Sequence, residues 1–433
     1  MDTLIVFLVF FFGFAILLRV PVAYSLGIGT LAGYLYSGLP ILSFAQASFS
    51  SLDSIPFLAV PFFILAGTVM EYSGISELIL NFAKSLIGKR RGAIGTITII
   101  ASTLFGVLTG SVLATASAIG KMVIPEMRKS GYENSYAAAL VAATAFLGVL
   151  IPPSIPGIIL ALSASLPVTT VWLSTVGPGL LLAVAYIIVN YYLRKNIEPK
   201  TTEHGSIPMY LKNISTSFTR SIPALLMPVI IFGGIYGGIF TPTEAGAVSA
   251  LYGLAYYLIK KAVKKDGVES NLISMTIESA VSTGTIAMLM IFASGATRLI
   301  TMVGVGNKLS QLITGFTTSP QIFLLMVNVL FLIMGTFLDI NSSIMIMTPL
   351  LMPTVYALGI DPIHFSAITL LNLCIGNMTP PFAASIFLSA KIADADFLDV
   401  CKKCVPYLLV ALVVLAIVTY VPEITLLIPN MLK

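Results

Sequence analysis

The chain has 433 residues, of which 57% are hydrophobic and 9% charged, with a formal net charge of +5. So little charge cannot cover the surface of a soluble domain, which excludes that class. Three cysteines are too few for a disulfide framework, and a small positive excess spread over connecting segments argues for membrane topology and against nucleic-acid binding.

Apolar runs of bilayer-spanning length recur from Thr3 to the C-terminus. The first, residues 4–18, lacks a basic leader, and Arg19-Val20-Pro21 follows in place of a cleavage site. It therefore reads as a retained span. Segments near 3–18, 22–39 and 55–72 are expected to cross three times and end in the cytoplasm. The stretch "GISELILNFAKSLIGKRRG" (74–92) is amphipathic and is expected along the membrane surface. Basic residues gather at Lys89-Arg90-Arg91, Arg194-Lys195, 260–265 and Lys402-Lys403, which sets the cytoplasmic side.

Residues 93–129 are two helices long and run from one basic cluster to another, Arg128-Lys129. A re-entrant hairpin with its tip near "GVLTGS" (106–111) fits that pattern. Next, 135–165 crosses outward with a break at Pro152-Pro153, and 171–193 returns. Segments 221–240, 244–260 and 276–303 follow as spans, with Glu244 of "TPTEAG" expected to cap a helix. A second hairpin, 320–358, then enters from outside with its tip at "GTFLDINSS" (335–343). A broken span at 363–390 and a last span at 405–429 complete the chain.

The two broken regions are copies. Pro125, Gly131, Gly148, Pro152 and Pro153 match Pro353, Gly359, Gly376, Pro380 and Pro381, every pair at one constant offset in the numbering. An odd number of crossings, five, separates the hairpins, so the copies are inverted. The expected fold is an all-α polytopic membrane protein with inverted repeats, two re-entrant helical hairpins and two broken helices, a transporter architecture. It divides into scaffold helices and an amphipathic arm (1–92), a first hairpin plus broken helix (93–170), scaffold and linker helices (171–319), a second hairpin plus broken helix (320–392) and a C-terminal helix (393–433).

Non-helical backbone at membrane depth is tolerated where it is buried in protein or lines a wet cavity. Tips and breaks are such places, and hydroxyls gather there: Ser102, Thr103, Thr109, Ser111, Thr115 and Ser154 in one copy, Thr336, Ser342, Ser343 and Thr379 in the other. Uncharged oxygens suit sodium, although serine and threonine also serve helix packing in lipid. Asp339 is readable as a cation ligand, a proton carrier or a helix cap, since an ionised carboxylate at that depth is costly alone. Arg298 offers a planar fork for an anionic substrate, or snorkels to the interface. With Thr109, Ser111, Ser154 and Ser343 it forms the candidate substrate set. Lys121 and Glu126 are expected to pair with each other or to reach the cytoplasm. His204 and His364 fall in expected loops and support no site, and the Cys401/Cys404 pair has no second pair to complete a zinc site. No phosphate-binding loop, haem ligand set or catalytic triad occurs, so transport must draw on an ion gradient. An embedded enzyme would need paired ligands in the spans, and a channel would need no mobile broken-helix pair.

"FGVLTGSVLATASAIGKMVIPEM" (105–127) followed by "GVLIPPS", and "GTFLDINSSIMIMTPLLMP" (335–353) followed by "GNMTPPF", resemble the large membrane subunit of tripartite ATP-independent periplasmic (TRAP) transporters. The resemblance covers nearly the whole chain; Val112-Leu113 stand where the family favours small residues. It implies a sodium-driven importer of organic acids in a bacterial inner membrane, working by an elevator mechanism. It also implies a small membrane subunit, separate here because the first span begins at residue 3, and a periplasmic substrate-binding protein. Carried over, the sodium ligands are Ser102, Gly106, Gly110, Gly148, Gly335, Asp339, Gly376 and Thr379. The wording lies nearest the sialic-acid branch, with C4-dicarboxylates as the rival cargo. A stand-alone sodium–carboxylate symporter is the alternative.

Overall fold

The computed structural model describes residues 2–18, 20–87, 93–193, 207–263, 272–380 and 383–432, and among these all regular structure is helical. The basic residues at 89–91, 194–195 and 264–265, together with His204 and Pro381, lie outside the described residues. Among the described residues seven helices are long and apolar enough to cross a membrane, and the pair Asn134–Leu150 and Ile155–Ala164, bent by 46°, makes an eighth.

The chain opens with α1 (Asp2–Phe12), a π-helical turn Gly13–Leu17, and α2 (Val22–Ser37). Next comes α3 (Ile41–Leu52), which span-length reasoning passed over. Its 12 residues reach only about 18 Å, too short to cross. After a 3-10 turn at Ile55–Leu58 come α4 (Ala59–Tyr72) and α5 (Ile75–Ile87), the expected amphipathic arm. The first hairpin is α6 (Ala93–Thr109) and α7 (Val112–Lys129). Its turn needs Gly110, whose φ of +57° suits glycine, and Ser111 caps α7 by accepting from Ala114 N–H at 3.4 Å.

The first broken helix is α8 (Asn134–Ala145), one turn α9 (Leu147–Leu150), and α10 (Ile155–Ala164). Then follow α11 (Val168–Leu193), α12 (Ile207–Tyr236), α13 (Pro242–Val263) and α14 (Leu272–Met302). Glu244 completes a capping box at the start of α13: its carboxylate accepts from Thr241 N–H at 2.8 Å, and Glu244 N–H donates to the Thr241 hydroxyl at 3.3 Å. A short helix α15 (Val305–Phe316), absent from the expectation, stands where the repeat offset carries the arm α5 and is its partner in the second copy.

The second hairpin is α16 (Pro320–Phe337) and α17 (Ile340–Ala357). The limits of α17 are those of α7 moved by the repeat offset. The second broken helix is α18 (Pro362–Asn377) and α19 (Ala384–Ala393). The expected last span, 405–429, is instead two helices, α20 (Phe397–Tyr420) and α21 (Glu423–Met431), parted at Val421-Pro422. His364 is not in a loop: it lies in the first turn of α18 and is buried. Cys404 is buried on α20, its thiol facing Ala139 O at 3.7 Å.

Packing shows how the copies are oriented. The leading half of the first broken helix, α8, packs on α19, the trailing half of the second. Parallel copies would set leading half beside leading half. The contacts α7–α8, α7–α19 and α8–α20 recur as α17–α18, α17–α10 and α18–α11, so the paired units are related by a pseudo-two-fold axis.

Length alone does not separate a hairpin from two spans, because each arm of the second hairpin has 18 residues, about 27 Å. Level does. A Cβ placed on Gly110 would lie 2.7 Å from Pro153 O, so the first tip sits beside the break. The ten residues of α10 continue about 15 Å beyond it. The hairpin therefore stops short of the far end of the helix it packs on.

Charged residues gather at the end where α7 finishes and α20 begins. Lys84 pairs with Glu126 at 2.6 Å, not Lys121 with Glu126, and Lys403 pairs with Glu133 at 2.5 Å. Arg128 donates to Asn134 Oδ1 at 2.9 Å and to Ala393 O at 2.8 Å, which ties α7 to the end of α19. These pairs are partly exposed and each contributes no more than about 1 kcal/mol. By contrast, Gly106→Val drives a side chain into the backbone of Gly148. It should cost at least about 3 kcal/mol and abolish the monodisperse peak in size-exclusion chromatography, whereas Lys84→Ala should leave that peak intact.

Candidate functional site

The first tip and break form one continuous cluster. Ser102 on α6 and Thr144 on α8 share a hydroxyl–hydroxyl hydrogen bond of 3.0 Å, and both are buried. One turn further, Gly106 and Gly148 meet backbone to backbone. A Cβ on Gly148 would also lie 3.1 Å from the Thr115 hydroxyl, which bonds to that of Thr109 at 3.2 Å. Ser154 caps α10, accepting from Gly157 N–H at 3.1 Å. The carbonyl of Ser154 is already engaged, because Trp172 Nε1–H donates to it at 3.0 Å. Thus Ser102, Gly106, Thr109, Gly110, Gly148 and Ser154 come together, with Ser111 at the half-buried rim.

The second copy is put together differently. A Cβ on Gly335 would lie 2.9 Å from the Cα of Gly376, so tip and break again touch through glycine alone. The half-buried Thr379 turns its hydroxyl back to Ile375 O at 2.9 Å. Asp339 is exposed and caps α17: Asn341 N–H donates to it at 3.0 Å, Ser342 N–H at 3.1 Å, and the Ser342 hydroxyl also bonds to it. The cap geometry leaves its carboxylate accessible at the tip. Ser343 is fully buried, and neither its hydroxyl nor the Asn341 side-chain oxygen has a protein partner. Arg298 is exposed on α14, and no hydrogen bond or ion pair joins it to the tips or breaks among the described residues.

Sequence reasoning missed Thr144, Trp172 and a buried amide pair. Asn372 lies one turn before Gly376, as Thr144 lies one turn before Gly148. The Asn372 side-chain NH2 donates to Asn328 Oδ1 at 2.9 Å and Asn328 donates to the Thr419 hydroxyl at 2.9 Å. His364 meets Thr419 O at 3.3 Å and the Thr425 hydroxyl at 2.8 Å. The signals were present: two asparagines inside apolar runs, and the chain's single tryptophan.

Among the described residues no group of three His, Cys, Asp or Glu side chains is placed to hold a metal ion. The oxygens at hand are hydroxyls, amides and backbone carbonyls, with one carboxylate. Such a donor set suits a hard cation of low charge.

Inverted hairpins whose tips rest on broken helices define a secondary transporter. A profile described as the tripartite ATP-independent periplasmic transporter, DctM component, matches residues 7–424. The chain belongs to this family, whose members are transporter permeases of the bacterial inner membrane and not enzymes. It is 38% identical over 419 residues to the isethionate TRAP transporter permease protein DctMQ of Oleidesulfovibrio alaskensis, covering 96% of this chain and 64% of that one. It is 34% identical over 412 residues to the sialic acid TRAP transporter large permease protein SiaM of Vibrio cholerae, covering 95% of each. The C4-dicarboxylate TRAP transporter large permease protein DctM of Pseudomonas aeruginosa is also 34% identical, over 409 residues and 94% of each. The fold resembles the YdaH transporter of Alcanivorax borkumensis, with a TM-score of 0.64 at 14% identity over 88% of each chain.

Replacing Trp172 by phenylalanine removes one of two donors to Ser154 O and leaves the other, Ile158 N–H at 3.1 Å. The loss should be about 1 kcal/mol, read as a lowered thermal unfolding midpoint in detergent.

Proposed function

We propose that the chain is the large membrane subunit of a sodium-gradient-driven TRAP importer that carries an organic anion into the cytoplasm by an elevator movement. In this reading a small membrane subunit completes the membrane complex, and a periplasmic binding protein delivers the cargo. The observation that carries it is the paired contact of each tip with its own break through glycine, with buried oxygens of Asn341 and Ser343 left unpartnered beside it. Two hairpins and two broken helices held by the same set of contacts form a body able to move as a unit. Sodium neutralises the carboxylate of Asp339 and the uncompensated oxygens, and the anion is held alongside. Ser102, Thr109, Ser111, Ser154 and Thr379 supply further oxygens, with Arg298 as the cationic grip.

The relatives' names point to isethionate, sialic acid and C4-dicarboxylates, and identity to the sialic-acid protein, 34%, does not exceed that to the isethionate protein, 38%. Their shared chemistry is a small anion with a carboxylate or sulfonate, and that is the cargo class proposed. Proteoliposomes with both membrane subunits, a sodium gradient and the binding protein test it with a panel of such anions. Uptake should require both gradient and binder; uptake of free anion by this chain alone would make it a self-sufficient symporter. Asp339→Ala should abolish the sodium dependence while the protein still folds, and an unchanged sodium response removes Asp339 from the ion site. Arg298→Lys should slow cargo uptake more than it alters sodium affinity, and uptake at the parent rate would leave Arg298 an interfacial residue.

A further inference from the structure

Contacts inside the paired hairpins and broken helices obey the pseudo-two-fold relation, but their contacts with the remaining helices do not. Helix α4 packs on α6 and α10, whereas its repeat partner α14 packs on α17. Within the paired body the arm α5 packs mainly on α6 and only lightly on α7, whereas its partner α15 packs on α17, where a Cβ on Gly306 would lie 3.3 Å from Pro353. A symmetric body is docked asymmetrically on its frame.

One pair of residues reports this at atomic level. Gly67 of α4 is buried, and a Cβ there would lie 3.1 Å from the Cα of Thr109, the last helical residue before the first tip. The approach is tight: a Cβ at Gly67 is accommodated only if the tip gives by a few tenths of an ångström. The repeat offset carries Gly67 onto Gly295 of α14, and Thr109 onto Phe337 at the second tip. Yet Gly295 does not meet Phe337. Its face is filled by the ring of Phe44 from α3, while Phe337 is 61% exposed. The Phe44 ring is held edge-on by Tyr34 at 5.9 Å and stacks on Phe292 at 6.5 Å.

We propose that Gly67 and Gly295 are alternate docking sockets for the two tips. In the conformation described here the first tip occupies Gly67 and Phe44 plugs Gly295. In the opposite conformation the first tip leaves Gly67, Phe44 swings away, and Phe337 seats on Gly295. Gly67 lies five residues from the C-terminal end of α4 and Gly295 seven from that of α14, and the inverted repeat puts those two ends on opposite sides of the membrane. The exchange therefore shifts the body along the membrane normal, and the conformation seen is the inward one. Gly67, Gly295 and Phe44 are positioning residues: none needs to touch sodium or cargo. The proposal rests on the elevator reading above and adds the contacts that define its two end positions.

Paired cysteines test it in membranes from cells expressing the full chain, with the three native cysteines replaced and with sodium or choline as the only variable. Gly67→Cys with Thr109→Cys should cross-link, since Gly67 lies against the Thr109 backbone. Gly295→Cys with Phe337→Cys should also cross-link, although no such contact exists in this conformation. In the four-cysteine protein each bond should exclude the other. Phe44→Ala should raise the rate of the Gly295–Phe337 bond about threefold or more, because the plug is gone. A membrane-impermeant maleimide at Ser342→Cys, in the same background without the paired cysteines, reports whether the tip changes sides at all. If Ser342→Cys alternates and Gly67–Thr109 forms but Gly295–Phe337 never does, the second socket is wrong while the elevator reading stands. If Ser342→Cys never changes its accessibility between sodium and choline, both fall.

Discussion

A polypeptide break inside a bilayer has to hide its unpaired amides and carbonyls, and lipid offers nothing to pair them with. That constraint governs this molecule. Each break is covered by the tip of a hairpin, and the cover works only because no side chain intervenes: Gly106 lies on Gly148 and Gly335 on Gly376. Once tip and break are that close, hydroxyls one turn away are forced into each other's company, as with Ser102 and Thr144. The polar character of the centre follows from the need to bury broken helices.

A second consequence concerns order among the helices. A tip covers a break only while hairpin and broken helix stay together, and buried polar links hold the broken helices to their neighbours. Tyr136 joins Asn190 at 2.8 Å and Tyr407 at 3.1 Å, tying the first broken helix to α11 and α20. The chain from Asn372 through Asn328 and Thr419 to His364 does the same for the second.

Much of this was legible in the residues. The duplication, both hairpins, both tips and the first break could be read from prolines and glycines, because those residues act through backbone geometry that lipid cannot disguise. Helices α3 and α15 were not legible, since twelve-residue amphipathic segments carry no span-length signal. The parting at Val421-Pro422 was hidden by its own hydrophobicity. Individual roles in the site were harder. Asp339 left three readings open, and only the three bonds it accepts show the cap. Thr144 looked like any helical threonine, because its partner Ser102 is 42 residues away in the chain. Pattern reveals the scaffold; partners far apart in sequence are fixed by the fold alone.

Trp172 gives the duplication a history. Its counterpart in the second copy is Val400, which has no proton to donate. One break is thus riveted by an indole that also meets Phe63 edge-on at 5.6 Å, while the matching position on α20 carries a side chain with no such donor. Two copies that began as the same text have therefore come to differ at a residue that, in one of them, fastens the break.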